Sequence, residues 1–151
     1  MVTGVQTCAL PILVTLREEL SFLDRYLTLE QMRFGERLTV EREIDEGLLD
    51  AQVPNLILQP LVENAIKHGI EPRVAPGRIV LRAASPAPGR LRLEVEDNGR
   101  GLPPDRGPGS GVGTSNTVAR LAQLYRSDGG FRLEPLAAGG VRAVVDLPLR
   151  R

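Results

Sequence analysis

Apolar side chains recur along residues 13–34 at alternating steps of three and four: Leu13, Leu16, Leu20, Leu23 and Leu27, with Phe34 at the far end. That rhythm predicts an amphipathic helix. Thr15 precedes Glu18 by three, the spacing at which a hydroxyl accepts an amide of the first turn and a carboxylate reaches back to the cap. Gly35 ends the pattern. The leucine seam suits two uses, packing on this chain's own core or pairing with a second subunit. Residues 37–44 set Leu38, Val40 and Ile44 against charged neighbours, which predicts a strand with one solvated face. Pro54 opens a second predicted helix, reaching about Gly69, whose apolar stripe is Leu58, Leu61, Val62 and Ile66. Strands follow at 77–84 and 90–96, the second alternating Leu91, Leu93 and Val95, with Pro86, Pro88 and Gly89 as the turn between them. A third helix is expected at 114–125, with Val118, Leu121 and Leu124 or Tyr125 on one face. A closing hairpin at 131–136 and 141–147 turns through Ala137, Ala138, Gly139 and Gly140. The expected class is α+β, a two-layer α/β sandwich of a mixed sheet and about three helices, preceded by one long N-terminal helix.

Residues 1–12 carry neither rhythm, and residues 2–12 resemble the conceptual translation of a sequencing-library adapter. The alternative is a frayed terminus. Either way the segment, with its lone Cys8, is set aside from fold reasoning. This leaves 13–35 as a helix of the dimerisation type and 36–151 as one compact unit. Composition removes several functions. Nineteen basic and nineteen acidic residues balance, which argues against a nucleic-acid grip built on bulk charge, and aromatics at 3% leave little for base stacking. One Cys and one His exclude a multi-cysteine zinc knuckle and leave little for any zinc site. No run approaches the roughly 18 apolar residues of a membrane span, so the chain reads as soluble and intracellular.

Chemistry gathers in three clusters. Asn64, Lys67 and His68 fall at i, i+3 and i+4, one face of the second helix, and bring together an amide oxygen suited to Mg²⁺, a cation and an imidazole. Residues 97–101, Asp-Asn-Gly-Arg-Gly, end an alternating strand. They read as a turn, or as a carboxylate that accepts from an exocyclic amine beside glycines that let backbone approach a ring. Residues 107–114, Gly-Pro-Gly-Ser-Gly-Val-Gly-Thr, run into a helix, either as a flexible linker or as a nest of N–H groups converging on an anion. The tract lacks the Gly-Lys-Ser/Thr of a Walker loop.

The order of these clusters resembles the ATP-binding domain shared by histidine kinases, gyrase-type ATPases, mismatch-repair ATPases and a heat-shock chaperone, with its N, G1 and G2 boxes. The wording Arg17-Glu18-Glu19-Leu20, Arg33-Phe34-Gly35-Glu36-Arg37-Leu38 and Leu58 through Gly69 is similar to LytS-type sensor histidine kinases. The resemblance implies a Bergerat-type fold that binds ATP and Mg²⁺. In it Asn64 would hold the metal, Lys67 and His68 would face phosphates, and Asp97 would read the adenine amine. Gly99 and Gly101 would line the base pocket, while Gly109, Gly111, Gly113 and Thr114 would belong to the lid over the triphosphate. Asn116, Arg120 and Leu121 match the helix after that lid. Asn64 is the catalytic candidate, and Glu63 beside it either polarises a ligand or faces solvent. The resemblance further implies a response regulator as partner, a homodimer through the N-terminal helix, and a cytoplasmic domain of a membrane-anchored parent.

Three departures qualify it. The family's phosphoacceptor histidine lies upstream of this material, Thr114 stands where the family usually has Leu, and Pro60 occupies the position of the hydrolytic Glu in gyrase-type relatives. Proline cannot act as a base, so a kinase is expected rather than a water-activating ATPase. The alternatives are a non-catalytic nucleotide-binding or interaction domain and an anti-sigma-type serine kinase.

Overall fold

The computed structural model describes residues 13–101 and 112–151, the side chains of 112–115 excepted. Cys8 and the glycine tract at 107–111 lie outside the described residues. The chain begins with strand β1 (Leu13–Thr15), which leads directly into helix α1 (Leu16–Phe34). The predicted capping box forms. The Glu18 N–H donates to Thr15 Oγ1 at 3.1 Å and the Thr15 N–H donates to Glu18 Oε1 at 3.0 Å. Two more first-turn amides are satisfied from outside the helix, Leu16 by the Ala51 carbonyl at 2.8 Å and Arg17 by the Leu49 carbonyl at 3.0 Å. Gly35, at φ +66, ends the helix as its position in sequence suggested.

Strand β2 (Leu38–Ile44) is followed by the short β3 (Gln52–Pro54), which pairs antiparallel with β1. Helix α2 (Gln59–Asn64) comes next and widens into a π-helical turn over Ala65–Ile70. Then come β4 (Gly77–Ala84), β5 (Arg90–Asp97), α3 (Val112–Tyr125), β6 (Gly130–Pro135) and β7 (Val141–Pro148). Five of the strands form one mixed sheet in the order β2-β4-β5-β7-β6. Among the described residues only β2 and β4 pair in parallel, and the connection through β3 and α2 supplies the crossover such a pair needs.

The two faces of the sheet differ sharply. On β5 the alternation sends Leu91, Leu93, Val95 and Asp97 inward and Arg90, Arg92, Glu94 and Glu96 outward. The inward residues join one core with Leu16, Leu23 and Leu27 of α1, Leu61, Val62 and Ile66 of α2 and its extension, and Leu121 of α3. The outward face is a cross-strand lattice of charge. Arg82 on β4 bridges Glu43 on β2 and Glu96 on β5, Arg142 on β7 bridges Glu96 and Glu134, and Arg92 and Arg132 share Asp146.

Three expectations need correction. Pro54 ends β3 and does not start a helix; α2 begins at Gln59, with Pro60 in its first turn. The residues between are held by contacts from other elements, described below, which local sequence does not encode. On α3 the buried stripe is Thr117, Leu121 and Tyr125 at steps of four, while Val118 is 44% exposed. Finally, the α1 seam is spent internally: Leu16, Leu23 and Leu27 are buried in this chain's own core, and Phe22, Leu29 and Met32 form a separate exposed apolar stripe. Leu23→Ala is therefore expected to cost about 2–5 kcal/mol in urea denaturation. Met32→Ser should change stability by no more than about 0.5 kcal/mol.

Candidate functional site

The site is organised around the inward end of β5. Continued for one more step, the alternation of Leu91, Leu93 and Val95 carries Asp97 to the core side, where it is only 5% exposed. Hydrogen bonds from the backbone N–H of Gly99, at 2.7 Å, and of Val141 favour its charged form. Burial outweighs them and pushes the carboxyl up to about 6, with Glu96 adding repulsion and Arg73 a partial offset. A buried carboxylate shifted in this way marks a candidate site.

Backbone packs around Asp97 at distances only glycine permits. A Cβ on Gly69 would lie 2.7 Å from Asp97 Oδ1. One on Gly99 would lie 2.3 Å from the Gly69 carbonyl oxygen, and one on Gly140, at φ +102, would lie 2.0 Å from the Asp97 carbonyl oxygen. These glycines belong to the turn after α2, the end of β5 and the β6–β7 hairpin, three segments that close on Asp97, Gly69 against its carboxylate, Gly99 against Gly69 and Gly140 against its main-chain carbonyl. Gly101, at φ +84, approaches the backbone of Gly140. The Asp-Asn-Gly turn is therefore packed against two other segments of the chain. Asn98 supports it, its Oδ1 accepting from the Arg78 N–H at 2.7 Å and its carbonyl from Arg73 Nη1 at 2.6 Å.

The widening over Ala65–Ile70 delivers Gly69 to this cluster. Its register is marked by the Glu71 N–H, which donates to the Ile66 carbonyl at 2.7 Å, an i→i+5 bond. Such turns stack residues four to five apart, so His68 follows Asn64 along the helix. Asn64 is half-buried, and Lys67, His68 and Glu63 are exposed. Glu63 accepts from Gln59 Nε2 at 2.9 Å. The structure brings Asp97, Gly69 and Gly99 together and sets Gly101 at their edge. Gly113 and Thr114 fall in the first turn of α3, and Gly109 and Gly111 lie outside the described residues. Sequence reasoning took Gly140 for a hairpin residue only. The available signal was the Gly139-Gly140 pair directly before an alternating strand, where a two-residue turn would have sufficed.

Residues 50–151 match the family of histidine kinase-, DNA gyrase B- and HSP90-like ATPases. The chain belongs to that family. Over 141 residues it is 34% identical to the sensor histidine kinase YesM of Bacillus subtilis, covering 91% of this chain and 24% of that protein. It is 32% identical to the sensor protein LytS of Enterococcus faecalis, covering 91% of this chain and 25% of that one. It thus spans about a quarter of the length of these curated relatives. The fold matches that of the mycobacterial sensor histidine kinase MprB with a TM-score of 0.66 at 22% identity, over 93% of this chain and 99% of that one. Among the described residues, no helix is long and apolar enough to cross a membrane.

Two outcomes follow from the geometry around Asp97. Its carboxyl titrates near 6 in the fold, against an ordinary 3.8, so between those values the native state holds a proton that the unfolded chain has released. The contribution of Asp97 to the stability of the ligand-free domain should therefore fall as pH rises from about 4 to about 6, by on the order of 3 kcal/mol. The arginine-paired carboxylates Glu41, Glu96, Glu134 and Asp146, held below their ordinary range, trend the opposite way. The difference in urea midpoint between wild type and Asp97→Asn across that range will report the Asp97 contribution. In the hairpin, Gly140→Ala should cost more than about 3 kcal/mol, because the new methyl meets backbone at a positive φ. Gly130→Ala, where a Cβ meets open space, should stay within about 0.5 kcal/mol in the same denaturation assay.

Proposed function

We propose that this chain binds Mg-ATP between α2, the end of β5 and the segment leading into α3, and positions the γ-phosphoryl group for transfer to a protein histidine. The observation that carries this reading is the under-compensated Asp97 carboxylate inside its cradle of Gly69, Gly99 and Gly140. A buried acceptor flanked by close backbone suits a planar base bearing an amine. The amine would replace the water that burial removed, which fits adenine better than a base presenting an oxo group there.

Asn64 suits the metal, since its half-buried amide offers one hard, neutral oxygen, and Mg²⁺ ordinarily fills its remaining positions with water and phosphate oxygens. When bound, the metal supplies charge neutralisation on the phosphates. Lys67 and His68, exposed on the following turn, can meet phosphate oxygens. Gly109, Gly111, Gly113 and Thr114 complete the proposed set as the cover over the triphosphate. Phosphoryl transfer needs little covalent participation from protein, so positioning and electrostatics suffice. Glu63 lies one residue from Asn64 and can orient the ligand shell. Pro60 stands where a water-activating carboxylate would be needed for hydrolysis, which favours transfer to a protein acceptor.

The phosphate would pass onward to a response regulator. A homodimer through α1 would use the exposed Phe22, Leu29 and Met32 stripe, since the leucine seam already serves this chain's own core. The domain would work in the cytoplasm.

Calorimetry with a magnesium-bound ATP analogue tests the reading directly. Asn64→Ala is expected to abolish magnesium-dependent binding, and unchanged affinity would remove the metal role. Asp97→Asn should weaken ATP far more than a purine triphosphate lacking the amine. Labelled ATP should leave this chain unmodified yet label an added histidine-bearing dimerisation segment; transfer to a serine instead would move the assignment to a serine kinase.

A further inference from the structure

Between β3 and α2 the chain crosses residues 55–58, a stretch that local sequence does not stabilise. Leu56 sits at φ +60, a left-handed conformation costly for a bulky residue. Leu58, which precedes the first residue of α2, has no side chain able to cap it. Both deficits are met from elsewhere in the fold. Glu19 of α1, only 2% exposed, accepts the Leu56 N–H on Oε1 at 2.9 Å and the Leu58 N–H on Oε2 at 3.0 Å. Arg120 of α3 donates from Nη1 to the Leu56 carbonyl at 3.2 Å and from Nη2 to the Asn55 carbonyl.

The Asn55 carbonyl and the Leu56 N–H are the two ends of one planar peptide group and point in opposite directions. That group is therefore held end-on between a cation from α3 and a buried anion from α1. Its dipole is aligned with both charges, and each contact is a charge-assisted hydrogen bond. The clamp fixes the strained residue and sets where the helix bearing Asn64 begins. It also ties α1 to α3, the helix that emerges from the glycine tract.

We propose that Glu19 is a positioning residue for the nucleotide site: with Arg120 it clamps the Asn55–Leu56 peptide, so that the Asn64 helix, α1 and α3 move as one unit. Neither side chain needs to touch the ligand. This inference rests on the nucleotide-binding reading above and adds to it a residue on the N-terminal helix and a route from that helix to the site. Displacement of α1 would slacken the clamp and lower affinity, and by the same linkage bound nucleotide would tighten it.

The test is a mutant cycle in calorimetry with magnesium–AMP-PNP, on the wild type, Glu19→Gln, Arg120→Gln and the double variant, with Leu23→Ala as a control for destabilised α1 packing. Each single change is expected to weaken binding roughly 10-fold, from the loss of a charge-assisted hydrogen bond. The double variant should lose clearly less than the product of the two, because both residues hold the same peptide. Leu23→Ala, at a temperature where it is folded, should bind within about twofold of wild type. Amide exchange gives a second readout: the Leu56 and Leu58 N–H groups should exchange faster in Glu19→Gln, and AMP-PNP should slow them in the wild type. A folded Glu19→Gln with wild-type affinity overturns the inference, as do independent losses in the cycle or an equal loss in Leu23→Ala. If Glu19→Gln does not fold, Arg120→Gln decides alone, and unchanged affinity there overturns it. A wild type that binds no nucleotide overturns the underlying reading, and this inference with it, so the two failures are distinct.

Discussion

Three segments of backbone close on Asp97, at its carboxylate and its main-chain carbonyl, more closely than any side chain would allow, and the candidate site is arranged around that contact. Gly69 can lie against it only because the helix before it opens into a π turn. Gly99 can turn back under Gly69 only because neither residue has a Cβ, and Gly140 closes the third side from the last hairpin. Each of these segments is far from the others in sequence. The sheet register supplies the alignment, Asp97 standing opposite Val141 on β7 and Ile79 on β4. A shift of one residue in either pairing would turn Asp97 to the solvent face and remove the site.

Burial raises the free energy of the charged form of Asp97, and two backbone N–H groups do not fully offset that rise. Backbone strain occurs at Leu56, whose peptide groups are held by Glu19 and Arg120.

The opposite face of the sheet explains why the chemistry is confined to one side. The outward Arg and Glu side chains of β2, β4, β5, β7 and β6 neutralise one another in a continuous lattice. Individually such half-exposed pairs contribute little stability. Collectively they leave a solvated surface without a large field of one sign, consistent with the overall charge balance of the chain.

The period of the apolar pattern and the turn chemistry were enough to locate the principal elements, because the capping box at Thr15, the stop at Gly35 and the alternation on β5 are local physical signals. The family could be named from the order of three short motifs. Other features depend on contacts between residues far apart in the chain. The leucine seam of α1 carries no information about whether its partner is the same chain or another, and only the packed core assigns it inward. The start of α2 is set by a carboxylate some forty residues upstream and a guanidinium some sixty downstream, so Pro54 misled where Glu19 and Arg120 decide. Likewise, the role of Gly140 arises from close approach between β7 and the end of β5, a distance that exists only once the sheet has formed.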